Sequence, residues 1–234
     1  MAGSASPNGN MSDGDGEEID MEEELKRVIL ECGNGLLKPC DSIEELLRKL
    51  DKMEHLLQHL RQAYKELVKT ALEPAKIALI SDDLLRHTEV EVRFTIASCI
   101  TEIIRITAPD IPYREEQMKD YFLLVNTAFK ELPSISGRSY SKVVSILQTI
   151  SHCQICVMML DYELHDLVHE MFRLFLNGIR PSHSESVSSS MEHVMTLMIQ
   201  NNVDSDESPL ELTKILLVAM KKENEVTDPS FTFL

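Results

Sequence analysis

The residues best able to do chemistry are two histidines four positions apart, His165 and His169, in the segment HDLVH. On a helix this spacing places both rings on one face, as in a zinc metalloprotease. That enzyme pattern has Glu where this chain has Asp166, and the shorter side chain would reach a metal-bound water poorly. No convincing third ligand follows. We therefore expect neither a metal site nor another cofactor here, and a metal-dependent hydrolase stays only as a rival hypothesis.

A second candidate for metal or redox chemistry is the CxxC pair formed by Cys153 and Cys156. Structural zinc needs a second pair of ligands at a suitable spacing, and the sequence offers none. A thioredoxin-like role needs a βαβ setting, which is also missing. Both cysteines fall on the apolar side of a predicted helix, so they are expected to be small buried hydrophobic residues.

Other catalytic motifs are missing from the sequence. Its eight glycines form no GxGxxG or GxxxxGK phosphate-binding loop, and no GxSxG turn presents a nucleophilic serine. The sequence therefore predicts that the chain is not an enzyme.

The charge of the chain argues against a nucleic-acid partner. The formal net charge is −16 at pH 7, and the longest basic cluster is Lys221-Lys222. A DNA-binding surface needs clustered Lys and Arg facing phosphates. No membrane span is expected, because the longest aliphatic run, about Ile215–Met220, is far short of the roughly 20 residues required. Five cysteines and no secretory signal indicate reduced thiols inside the cell.

Apolar residues recur at helical spacing along the chain, and tryptophan is absent, which favours helices packed on helices. The predicted helices cover about 19–37 (broken near 33–35), a long stretch from about 43 past 67, 75–86, a helix ending at 108, 117–131, 139–160, 162–179, 184–200 and 209–222. Pairs recurring roughly every 40–47 residues predict an all-α, HEAT-repeat-type α-solenoid of antiparallel helix pairs. We expect a disordered acidic tail at 1–18, the repeat domain at 19–224 and a divergent tail at 225–234.

The long second helix leaves two interpretations open. Its apolar residues alternate in steps of four and three: Leu46, Leu50, Met53, Leu57, Leu60, Tyr64 and Leu67. Such spacing is typical of a coiled-coil dimer. The same spacing serves a helix packed against its neighbours within a repeat, which is the interpretation that we favour.

The helix ending at Ala108 is followed by a double-proline corner. One face of this helix is apolar, with Val92, Ile96, Cys99, Ile100, Ile103 and Ile104 at steps of three and four. Pro109 has no amide hydrogen and disfavours helical geometry in the residue before it, and Pro112 restricts Ile111 in the same way. A stiff surface corner bearing Asp110 and Tyr113 would lose little entropy when a peptide binds it.

The corner sequence Ala108-Pro109-Asp110-Ile111-Pro112-Tyr113 resembles the Ala-Pro-Asp-Ala-Pro-Tyr signature of one family. This is the HEAT-repeat cohesin regulator family named for precocious dissociation of sisters. The similarity runs from about Leu25 to Asn224 and is strongest to plant members. The segments that carry it are Leu84–Tyr113, Gln117–Lys119, Arg138–Tyr140, Val144–Leu147, Val157–Asp161, Glu170–Phe172, Ser188–Glu192 and Lys221–Asn224.

The resemblance implies a nuclear, non-enzymatic scaffold in sister chromatid cohesion. It implies that residues Ala108–Tyr113 receive short aromatic motifs of regulators such as the wings-apart-like releasing factor, and that cohesin subunits or other cohesin regulators are partners. Ile111 stands where the family has a small Ala, so the pocket is expected to be narrower. After Asn224 the chain reads EVTDPSFTFL, which suggests a truncated form. The alternative is a generic helical-repeat adaptor unrelated to cohesin.

Overall fold

The computed structural model describes residues 13–202, 212 and 214–218, and every regular element within them is helical. The α-helices are α1 (Asp13–Leu36), α2 (Ile43–His59), α3 (Lys65–Val68), α4 (Glu73–Leu79), α5 (Asp82–Leu85), α6 (Val90–Thr107), α7 (Glu115–Phe129), α8 (Arg138–His152), α9 (Met158–Asp161), α10 (His165–Gly178) and α11 (Glu185–Asn201). Short 3-10 turns occupy Gln62–Tyr64, Leu132–Ser134 and Ile155–Val157.

These helices pack in two layers. In one layer α2, α6, α8 and α11 contact one another in that order. In the other, α1 is followed by the short helices α4 and α5, then by α7 and α10. Each long helix of the first layer pairs with its partner in the second, so the predicted all-α solenoid of HEAT-type helix pairs is confirmed.

Helix α6 lies at the centre of this arrangement. All six residues of its predicted apolar face are buried. Phe94, Ala97 and Ile106, on other sides of the helix, are buried as well, because α2 and α8 flank it in its own layer while α4, α5 and α7 cover it from the other. Burial of this helix therefore extends beyond the single apolar face that the sequence predicts.

Helix α2 settles the question of the coiled coil. Leu46, Leu50, Met53 and Leu57 are buried within the chain itself, where α2 packs on α6, so the intramolecular interpretation is correct. The predicted extension of α2 beyond residue 67 is wrong, because α2 ends at His59.

The end of α2 is fixed by a side chain of the neighbouring helix. Arg105 Nη2 donates to the carbonyl oxygens of Leu57 and Leu60, at 3.0 and 2.8 Å. These carbonyls lie at the C-terminal end of α2, where backbone oxygens have few partners within the helix, and that of Leu57 also accepts from the Leu60 amide at 3.1 Å. Arg105 also forms an ion pair with Glu102 at 2.6 Å, which holds the guanidinium in position.

Helix α1 also differs from the prediction. It begins at Asp13 and runs without a break to Leu36, so residues 13–18 of the predicted disordered tail are helical and residues 1–12 lie outside the described part. Gly33 does not break the helix because it serves packing. A Cβ added there would lie 2.8 Å from the backbone nitrogen of Ala75, so glycine lets α1 approach α4 closely.

Two further predicted helices are interrupted. The helix expected over 75–86 is split into α4 and α5, with Ser81 extended between them. The helix expected over 139–160 ends at His152, and Gln154 adopts a left-handed conformation with φ of 57° before the turn Ile155–Val157. Cys153 and Cys156 therefore do not share a helix face. Cys156 is buried as predicted, whereas Cys153 is partly exposed.

Residues 212 and 214–218 are helical, and the rest of the helix predicted over 209–222, like the tail 225–234, lies outside the described residues. No single described helix is long and apolar enough to cross a membrane. One consecutive pair, Ser139–His152 with Ile155–Asp161, is apolar enough but is bent by 78°.

Candidate peptide-docking site

The double-proline corner begins where predicted. Helix α6 ends at Thr107, and Ala108 leaves it with a ψ of 140°, followed by a cis peptide bond to Pro109. The Asp110 amide donates to the Thr107 carbonyl at 2.9 Å, which folds the corner back onto the helix end. Pro109, Asp110 and Ile111 are exposed, so this part of the corner is a surface as expected.

Two side chains from the segment after α2 hold the corner in place. Gln62 Nε2 donates to the carbonyl oxygen of Ala108 at 2.7 Å. Lys65 Nζ forms an ion pair with Asp110 Oδ2, also at 2.7 Å, and this contact lowers the pKa of the Asp110 carboxyl below its ordinary value. Asp110 is therefore a carboxylate at neutral pH. No local pattern in the sequence indicates either contact, because the partners are more than forty residues apart.

A narrow groove opens beside the corner, between it and the turn that follows α8. Its volume is about 160 Å³, and its lining comprises Ile104, Ala108, Pro109, Asp110, Ile111, Cys153, Gln154, Ile155 and Met158. The floor is apolar, because Ile104 and Ile155 are buried. The left-handed Gln154 turns the chain towards the corner and thereby forms the second wall. Such a groove fits one inserted side chain, with a carboxylate at its edge.

Tyr113 does not take part in this surface. Its side chain is only 8% exposed, and its hydroxyl has no hydrogen-bond partner among the described residues. Burial raises the pKa of the Tyr113 phenol well above its ordinary value. The expectation that the surface of the corner bears Tyr113 is therefore wrong. Tyr113 anchors the corner in the core instead, and Ile111, which is 54% exposed, is the apolar side chain offered at the surface.

The chain has two histidine pairs at a spacing of four residues, His165 with His169 and His55 with His59. The described residues include no group of three His, Cys, Asp or Glu side chains that could hold a metal ion. His165 and His169 lie on α10, partly exposed. The earlier pair, His55 and His59, is engaged internally: the ring centroids are 4.4 Å apart, and His59 Nδ1 lies 2.7 Å from the His55 carbonyl oxygen.

Comparison with known proteins identifies the family of this chain. A family model described as sister chromatid cohesion protein PDS5 matches residues 44–233. The chain belongs to the PDS5 family. It is 41% identical over 211 residues to PDS5 homolog C of Arabidopsis thaliana, covering 90% of this chain and 24% of that protein. It is 30% identical over 177 residues to PDS5 of Saccharomyces cerevisiae, covering 75% of this chain and 13% of that protein.

A solved structure of the Pds5–Scc1 complex contains a chain with the same fold. The TM-score is 0.63 at 28% sequence identity, covering 74% of this chain and 25% of the other. The predicted HEAT-repeat architecture and the plant-like resemblance are thus both confirmed. The chain spans about a quarter of the length of PDS5 homologs C and D of Arabidopsis thaliana, at 24% and 25%.

Proposed function

We propose that this PDS5-family chain is a non-enzymatic scaffold that regulates cohesin during sister chromatid cohesion, in the nucleus. Its membership of the family over residues 44–233 supports a role in cohesion. The relation to a chain of the Pds5–Scc1 complex supports contact with a cohesin subunit. The same membership disfavours both rival hypotheses, an adaptor unrelated to cohesin and a hydrolase using His165 and His169.

Within that role, the corner Ala108–Tyr113 docks a short linear motif of a regulator such as the wings-apart-like releasing factor or another cohesin regulator. The observation that carries this proposal is the groove beside the corner, which combines an apolar floor with one ionised carboxylate at its edge. An aromatic or aliphatic side chain of the motif enters between Pro109, Ile111 and Met158. Burial of apolar surface in such a groove provides most of the affinity.

Asp110 provides the polar contact. Lys65 holds Oδ2, and Oδ1 then accepts from an arginine or from the backbone amides of the bound motif. The existing ion pair fixes the carboxylate before binding, so little side-chain entropy is lost on docking. Ile111 covers part of the groove that an alanine would leave open, which favours motifs with a slimmer inserted side chain.

The test is binding of a fluorescein-labelled peptide from the wings-apart-like releasing factor, followed by anisotropy. A micromolar dissociation constant corresponds to about 8 kcal/mol. We expect Ile111→Asp and Asp110→Lys each to weaken binding by at least about tenfold, or about 1.4 kcal/mol, which exceeds the cost of truncating most interface residues. Leu123→Asp, at a similarly exposed position on α7, is the matched control and should bind like the wild type.

Two results contradict the docking proposal. One is a wild-type chain that does not bind the peptide, and the other is equal binding by Ile111→Asp and the control.

The position of the bound peptide can be measured at Cys153, because this residue lines the groove and is partly exposed. A docked peptide should slow alkylation of Cys153 by iodoacetamide.

A further inference from the structure

A second and larger groove lies at the other end of α2. It runs between the connection from α1 to α2 on one side and helices α4 and α5 on the other, with a volume of about 590 Å³. We call it the first-repeat groove. The wall from the connection includes Leu37, Cys40, Asp41 and Ile43, and the opposite wall includes Ile77, Ser81, Asp83 and His87.

The first-repeat groove is apolar at its floor and on both walls. Leu36, Leu46, Ala78 and Leu84 form the floor and are buried. Above them Leu37, Ile43 and Ile77 are 48%, 45% and 58% exposed. Single exposed aliphatic residues are common on protein surfaces, but three of them around one concave site mark an interaction surface.

Each wall also carries one carboxylate, Asp41 on the connection and Asp83 on α5. Asp41 and Asp83 form no ion pair with any described residue, although other acids nearby do: Glu45 pairs with Lys49 at 2.9 Å and Asp82 with Arg86 at 3.5 Å. The basic side chains among the lining residues are Lys38 and His87, and with His87 counted as neutral the two acids oppose one positive charge. The groove therefore attracts a ligand that is apolar and positively charged.

We propose that the first-repeat groove binds a short peptide segment of a partner protein that presents two apolar side chains next to Lys or Arg. The apolar side chains contact Leu37, Ile43 and Ile77, and the basic group lies between Asp41 and Asp83. A nucleic acid does not fit this chemistry, because its phosphates would meet the two carboxylates. Charged groups on apolar walls make the groove selective for the sign of the ligand's charge as well as for its shape.

The first-repeat groove is separate from the corner groove, so its ligand does not depend on the function proposed for the corner. The two grooves share no lining residue. The first-repeat groove includes Ile43 at the start of α2, whereas Gln62 and Lys65, just beyond its end, contact the corner. A helix of 17 residues spans about 25 Å at 1.5 Å per residue, so the two sites are separated by about the length of α2.

The test begins with a displayed library of random 12-residue peptides, selected on the wild-type chain and counter-selected on Leu37→Asp/Ile77→Asp. We expect the enriched peptides to combine two apolar residues with Lys or Arg. In anisotropy measurements, Ile77→Asp and Asp41→Lys/Asp83→Lys should each weaken them by at least about tenfold. Leu123→Asp and the corner variant Ile111→Asp should leave their affinity unchanged. Circular dichroism checks that each variant keeps its helices.

Cysteine alkylation locates the bound peptide. Cys40 lines the first-repeat groove and Cys153 lines the corner groove, and both are partly exposed, whereas Cys32, Cys99 and Cys156 are buried. A selected peptide should slow alkylation of Cys40 by iodoacetamide and leave the rate at Cys153 unchanged.

Several results would overturn the proposal. They are the absence of enriched peptides, enrichment of acidic or uncharged ones, and protection of Cys153 in place of Cys40. A wild-type chain that sediments as a dimer and becomes a monomer on Ile77→Asp would assign the groove to a second copy of this chain instead.

Discussion

The two grooves, at opposite ends of α2, use their charged and apolar groups in opposite ways. At the corner, Asp110 is already paired with Lys65, the aromatic residue Tyr113 is buried, and the opening is about 160 Å³. In the first-repeat groove, Asp41 and Asp83 have no ion pair with described residues, three aliphatic side chains are exposed, and the opening is about 590 Å³. The recognisable sequence motif therefore lies at the smaller groove, where the carboxylate already has an ion-pair partner.

This contrast shows that one short sequence motif can combine residues with different structural roles. Within Ala108–Tyr113, some residues build the corner and others face solvent, and the sequence alone does not separate the two roles. The larger groove has no motif, because its lining comes from the α1–α2 connection and from two later helices. Substitutions that separate architectural residues from surface residues test this view most directly.

The largest effect is expected from truncating the buried aromatic residue of the corner. Tyr113→Ala should lower the free energy of unfolding by about 3–5 kcal/mol, as for other buried aromatic residues replaced by alanine. Ile111→Ala, two residues earlier but 54% exposed, should change it by no more than about 0.5 kcal/mol. Urea denaturation followed by circular dichroism measures both. Equal effects of the two substitutions would mean that Tyr113 is not an anchor of the corner.

A smaller effect is expected where α1 meets α4. Gly33→Ala places a Cβ 2.8 Å from the Ala75 backbone nitrogen and should destabilise the chain by about 1–3 kcal/mol. Gly35→Ala, in the same helix, meets nothing within 4 Å and should stabilise it by up to about 1 kcal/mol through helix propensity. Opposite signs in thermal unfolding are the expected result, and two stabilising substitutions would show that the close approach of α1 and α4 is wrong.

The same two glycines illustrate which parts of the structure the sequence could predict. Apolar periodicity and Pro109 were sufficient to place α6, its end and the corner, because these signals are local. The spacing of helical segments was sufficient for the two-layer solenoid. Gly33 was interpreted as a helix break, since its close contact with Ala75 lies 42 positions away along the chain and leaves no local trace.

Other errors have the same physical origin. The end of α2 depends on Arg105, which lies 45 residues beyond Leu60, and the turn after α8 depends on a glutamine in a left-handed conformation that usually favours glycine. The exposure of Asp110 and Ile111 and the burial of Tyr113 follow from the path of the chain through the corner, which alternating polar and apolar letters do not specify. The sequence identifies the residues of the corner, but it does not indicate which of their side chains face solvent and which face the core.

A third prediction compares two buried tyrosine hydroxyls near α6. The Tyr113 hydroxyl has no partner among the described residues, whereas the Tyr121 hydroxyl lies 2.9 Å from Thr101 Oγ1. Tyr113→Phe removes an unsatisfied polar group and should leave stability unchanged or raise it by up to about 1 kcal/mol. Tyr121→Phe removes a hydrogen bond and leaves Thr101 with one partner fewer, so it should cost about 1 kcal/mol. A loss at Tyr113→Phe as large as that at Tyr121→Phe would reveal a partner for the Tyr113 hydroxyl.

The smallest effect concerns the pH dependence of the corner ion pair. Lys65 lowers the pKa of Asp110 below the ordinary 3.8 of an aspartate, so the folded chain binds this proton less readily than the unfolded chain. The contribution of the pair is therefore fully present above pH 3.8, and it is lost as pH falls through the lower pKa of the folded state. The difference in thermal midpoint between the wild type and Asp110→Asn should stay constant from pH 7 to pH 5 and shrink only under more acidic conditions. Lys65→Met is the matched control and should remove the same difference. A difference that does not shrink between pH 5 and pH 2 would show that Lys65 does not lower the pKa of Asp110 in solution.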